Sequence, residues 1–115
     1  MKLMIDNTEV SIQWEENASV EALREMTSSA PLSISMSMYG GNEQVGPIGK
    51  SLTRDDRQTT THSGDLVLYS GNQIVIFYGS NSWAYTRLGH ITDPTGNDLA
   101  QLLSNGDVTL TLMTE

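Results

Sequence analysis

Apolar and polar residues alternate along much of this chain with a period of two, the spacing that sends every second side chain to one face of a strand. Leu32, Ile34, Met36 and Met38 alternate with Ser33, Ser35, Ser37 and Tyr39, which predicts one strand over 32–39 with its apolar side chains on a single face. Val10, Ile12 and Trp14 alternate with Ser11 and Gln13. Lys2 to Ile5 precedes them across the polar Asp6-Asn7-Thr8-Glu9, so a hairpin is expected at the start. A second hairpin is read from Leu66 to Tyr69 and Gln73 to Tyr78, joined through Gly71-Asn72, residues that tolerate positive φ. It is apolar on both faces and is therefore placed centrally. Another strand follows Gly79-Ser80-Asn81-Ser82, and Val108 to Leu112 alternates once more.

Twice the period lengthens to that of a helix. Val20, Leu23 and Met26 recur at helical spacing behind a cap at Asn17 or Ser19, with Glu21 in the first turn, predicting a helix over about 19–27. Leu99, Leu102 and Leu103 mark a second over 97–103, between the turn Asp93-Pro94-Thr95-Gly96 and Asn105-Gly106. From Gly40 to Ser63 no period is legible, and the segment reads as a long connection, where function tends to lie. The prediction is a mainly β domain over 1–115, an antiparallel barrel with two short helices over its open ends. A flat α+β sandwich is the alternative.

The 14 acidic and 6 basic residues give a formal charge of −8, spread from Asp6 to Glu115 with no charged tail. Such a surface repels polyphosphate and anionic lipid, so neither nucleic acid nor membrane is expected as a partner. With no cysteine, disulfides, thiolate metal sites and cysteine nucleophiles are excluded. Lys2 and Asp6 interrupt the apolar start where an export signal would need its middle, so a cytoplasmic location is expected.

The stretches Gly64-Asp65-Leu66-Val67-Leu68-Tyr69, Gly71-Asn72, Ile76-Phe77-Tyr78 and Tyr85-Thr86-Arg87-Leu88-Gly89, followed by Ile91 and Asp93-Pro94, come in an order that resembles the small bacterial cyclophilin-like domains. "LSISMSMYGGNE" is similar to that family's pattern before its long loop, so the resemblance covers nearly the whole chain. It implies the cyclophilin-like barrel with two helices. It does not carry over the prolyl isomerase site: Phe77 is the only phenylalanine, and the Phe-His-Arg and Phe-Met-Gln segments of authentic cyclophilins have no counterpart.

Other chemistries lack their context. Gly46 to Ser51, "GPIGKS", resembles the end of a phosphate-binding loop, but its first glycine would fall at Gln44 and no apolar helix follows. Asp55 and Asp56 between Arg54 and Arg57 read as a self-neutralising loop and not as an acid–base pair. His62 and His90 have no metal-ligand spacing, and Ser80 and Ser82 lack a nucleophile elbow. No metal, cofactor or catalytic residue is implied.

A binding face remains. Trp83, Tyr85 and Arg87 share one side of an extended chain and Ala84, Thr86 and Leu88 the other. If the second set packs inward, two rings and a guanidinium are left outside. Tyr39, Asn42 and Glu43 form a second wall, with Tyr78 at the end of the central hairpin. The expected function is a non-catalytic domain that binds a small molecule or an extended peptide there. The alternatives are a weak prolyl isomerase using Arg87, and a structural module that presents the same rings to another copy of itself.

Overall fold

A computed structural model describes residues 1–115. Strands β1 (Lys2–Ile5) and β2 (Thr8–Trp14) form the opening hairpin around Asp6, which takes a positive φ of 51°. Helix α1 (Ala18–Met26) starts at Asn17, whose side-chain oxygen accepts the Val20 N–H at 2.9 Å. There follow β3 (Leu32–Ser35), β4 (Ser37–Tyr39), β5 (Glu43–Pro47), β6 (Arg57–Thr60), β7 (Asp65–Tyr69), β8 (Gln73–Phe77) and β9 (Ser82–Asp93). Helix α2 (Asn97–Leu103) and β10 (Thr109–Met113) complete the chain. No helix is long and apolar enough to cross a membrane.

All ten strands lie in one antiparallel sheet of order β3-β10-β1-β2-β9-β7-β8-β5-β4, with β6 paired to β9 off this path. The expectation of a mainly β chain with two short helices holds, and the β7–β8 hairpin is central. A closed barrel does not follow, because the hydrogen-bonded path ends at β3 and β4 without a ladder between them. Those two strands are separated by Met36 alone, where the chain leaves β10 and takes β5 as partner. Gly46 of β5 nevertheless passes so near β3 that an added Cβ would stand 2.5 Å from the Ser35 carbonyl oxygen.

Three sequence expectations change in detail. The strand over 32–39 is two strands, because the partner switch at Met36 interrupts its pairing. The connection from 40 to 63 contains β5 and β6, which carry too many polar residues to show an apolar alternation. The β7–β8 turn takes its positive φ at Ser70 and Gly71, not at Asn72.

One face of the sheet, with α1 and α2, encloses the main core. Leu3, Ile5, Ile34, Leu66, Leu68, Ile74, Ile76, Leu88, Leu110 and Leu112 meet Val20 and Leu23 from α1 and Leu99 and Leu103 from α2 there. Gln44 is buried in it, and its side chain is fully used: Nε2 donates to Leu103 O at 2.7 Å and Gly106 O at 2.9 Å, and Oε1 accepts the Val108 N–H at 3.1 Å. An amide satisfied in this way ties β5 to the end of α2 and the start of β10. The opposite face of β5, β8, β7 and β9 carries a second, smaller cluster of Val67, Val75, Phe77 and Tyr85, with Val45 and Tyr69 packed against it.

Candidate functional site

Strand register decides which side chains reach this second face. Tyr39 pairs with Glu43, Glu43 with Phe77, Val45 with Val75, Val75 with Val67 and Gln73 with Tyr69. Directly paired residues point to the same side of a sheet, so these form one continuous surface. β9 adds Trp83, Tyr85 and Arg87, with Arg87 opposite Val67. At Leu88 the register slips, since Leu66 pairs with Gly89 but Val67 with Arg87. This bulge places Leu88 and Ile91 in the main core while Arg87 and His90 both stay on the outer face.

A cavity of about 320 Å³ opens on this surface. Val45, Val75, Tyr69, Gln73, Asn81 and Tyr85 line it together with Tyr39, Glu43 and Trp83. The two rim rings are exposed, Tyr39 at 68% and Trp83 at 57%. Tyr85 lies edge-on to Tyr69, with centroids 6.1 Å apart, and to Phe77 at 5.7 Å. Its hydroxyl accepts a 2.8 Å hydrogen bond from Asn81 Nδ2. Burial raises the Tyr85 pKa, the Asn81 bond opposes this, and the nearby charges of Glu43 and Tyr69 add to the rise. The phenol therefore stays protonated at neutral pH.

Glu43 is partly desolvated, and no protein group pairs with its carboxyl. It is 8% exposed, and burial alone pushes its carboxyl above the usual range, with no hydrogen bond or ion pair to offset the change. Asp65, also buried, shows the opposite outcome. Burial would raise its pKa, but it accepts from His90 Nδ1 at 2.8 Å, the His62 N–H at 2.9 Å and Arg87 Nη1 at 3.2 Å. Those bonds, with the Arg87 charge, hold the carboxyl below its ordinary value.

Of the residues expected at a site, Tyr39, Glu43, Trp83 and Tyr85 are brought together around the cavity. The expected outward stripe needs correction, because Tyr85 is 4% exposed: the second cluster covers it, and the two outward rings are Trp83 and Tyr39. Ala84 is exposed while Thr86 and Leu88 are buried. Asn42 acts as a turn residue, its side chain donating to Ser80 O and its carbonyl accepting the Tyr78 and Gly79 N–H groups. Tyr78 packs on the main core and leaves its hydroxyl buried without a partner. Arg87 lies beyond Tyr85, in a polar hollow of about 420 Å³ shared with Glu15, Asp55, Arg57 and Thr60.

The sequence reading missed Val45, Tyr69, Gln73, Val75 and Asn81. Tyr69, Gln73 and Val75 belong to the recognised central hairpin, and its apolarity on both faces was the available signal for a second packed surface. The Arg54 to Arg57 segment does pair internally, Arg54 with Asp56 at 2.7 Å and Arg57 with Asp55 at 3.0 Å. Arg57, however, begins a strand opposite Tyr85 and is not part of a loop.

The chain belongs to the cyclophilin-like family, whose pattern it matches over residues 3–113. No curated protein and no solved structure matches it significantly.

Proposed function

We propose that this chain is a non-catalytic binding domain that holds a small molecule, or a side chain of an extended peptide, in the cavity between Tyr39, Glu43, Val75, Trp83 and Tyr85. One observation carries the reading: a largely apolar cavity lies between two large exposed rings beside a partly desolvated carboxyl that has no protein partner. Exposed rings around a concave apolar surface are what a ligand covers, and the volume lies at the small end of the usual range of about 300–1,000 Å³ for ligand sites. In this reading the sheet acts as a nearly closed cyclophilin-like barrel whose seam runs between β3 and β5, with the site on its outer wall.

A prolyl isomerase would need a free cationic donor beside the apolar cavity to polarise the imide nitrogen. Arg87, the expected donor, is held by Asp65 and by Thr60 O at 3.3 Å on the far side of Tyr85, which favours a non-catalytic role. A thermal-shift screen of small molecules and short peptides, run beside gel filtration, tests the proposal. A compound that raises the melting temperature in a saturable way, and does so less in Trp83→Ala, supports it. A protein that no compound stabilises, and that elutes as a dimer dissociated by Trp83→Ala, would make the rings a self-association surface instead.

A further inference from the structure

We propose that the cavity takes a small organic cation, an alkylated ammonium group seated against the rings of Trp83 and Tyr39 with the Glu43 carboxylate as its counter-charge. The inference rests on the ligand-binding reading above and narrows it to a chemical class.

Glu43 supplies the first argument. The residue is 8% exposed and its side chain lines the cavity, yet nothing in the protein donates to its carboxyl or pairs with its charge. A carboxylate in that position destabilises the fold unless something else neutralises it. The cations that could do so from within are committed elsewhere: Arg87 to Asp65, and Arg57 to Asp55. No lysine or arginine lines the cavity, so a cation that neutralised Glu43 there would come from solution.

The walls supply the second. Tyr39, Tyr69, Trp83 and Tyr85 surround the space, and Tyr69 and Tyr85 stand at 65° to one another like adjoining sides of a box. Ring faces carry negative potential and attract a cation that approaches them, most strongly when its water has been removed. Methyl groups on the nitrogen suit Val45 and Val75 beneath. A bare ammonium is more strongly hydrated and gives up more on entry. The formal charge of −8 favours the approach of any cation and opposes that of an anion.

The test uses three probes: choline, its neutral isostere 3,3-dimethylbutan-1-ol, and the smaller ethanolamine, which keeps the charge without the methyl groups. Amide chemical shifts of the intact chain report both affinity and place. Choline is expected to shift Val45, Val75 and Asn81 and to bind about tenfold more tightly than the alcohol. Glu43→Gln, which keeps the shape and removes the charge, should erase that preference, and Trp83→Ala, a change at an exposed ring, should weaken choline several-fold. If the alcohol binds in the cavity as tightly as choline, the cation assignment falls and the general ligand-binding reading stands. Tighter binding of ethanolamine would overturn the alkylated class. No shift at these residues with choline at 100-fold excess over the protein would overturn the proposal outright, leaving the broader reading to its own screen.

Discussion

Tyr39 and Glu43 face each other across β4 and β5 as direct strand partners, one 68% exposed and the other 8%. A five-residue turn segment thus places an exposed ring and a desolvated acid on one wall of the cavity.

The cost of that acid should be measurable. Burial holds the folded-state pKa of Glu43 above 4.5, so its proton is retained longer in the folded chain than in the unfolded one. Stability is therefore lost as pH rises from about 4.5 through the raised value, and the loss persists above it. The groups that line the cavity with Glu43 include Tyr39, Tyr69 and Tyr85 and no lysine, arginine, histidine or second carboxylate. Glu43→Gln should stabilise the protein at pH 7, by less than about 1 kcal/mol because solvent screens part of the charge, and the gain should shrink toward pH 4. Urea unfolding at the two pH values checks this.

Asp65 should behave in the opposite sense. Its folded pKa lies below 3.8, so its contribution is present above that value and is lost as pH falls through the lowered one. Asp65→Asn replaces the carboxylate shared by His62, His90 and Arg87 with one neutral amide oxygen and an N–H donor, and should cost about 2 kcal/mol at pH 7, with the difference shrinking below pH 3.8. Thermal melts across that range give the comparison.

Two hydroxyl deletions should differ in sign. Tyr85→Phe removes the acceptor of the Asn81 bond and should destabilise by about 1 kcal/mol. Tyr78→Phe removes a buried hydroxyl that has no partner and should be neutral or stabilising by up to about 1 kcal/mol. Chemical denaturation of the pair settles both.

Gly46 tests how closely the ends of the sheet approach. A Cβ there would meet Ser35 O, Met36 Sδ and the Ile34 side chain, all within 3.0 Å, and backbone cannot move aside as a flexible side chain can. Gly46→Ala should cost about 3 kcal/mol, the upper end of ordinary overpacking. Gly41→Ala meets nothing within 4 Å and should cost only the strain of its positive φ, about 1 kcal/mol.

Period-two patterning carried most of the fold, because wherever a strand buries one face its apolar side chains must alternate. It placed Trp83, Tyr85 and Arg87 on one face correctly. It did not reveal which of them would be covered, because that depends on Tyr69, Val75 and Phe77 from other strands. Strand β6, Arg57-Gln58-Thr59-Thr60, is nearly all polar and pairs only with β9, so no pattern announced it. In β5 the buried positions include Glu43 and Gln44, and a buried polar residue looks like a loop residue until its partners, or its lack of them, are known. The bulge at Leu88 is likewise fixed by two demands made together, Leu88 and Ile91 inward and Arg87 and His90 outward.

The account rests on a ligand entering the cavity between Tyr39, Glu43, Val75, Trp83 and Tyr85. Its most direct test is amide chemical-shift mapping with the strongest stabilising compound from the thermal-shift screen. The predicted result is a set of saturable shifts centred on Val45, Gln73, Val75, Asn81 and Trp83. Shifts confined to the Arg54 to Thr61 segment, with those residues unmoved, would contradict it.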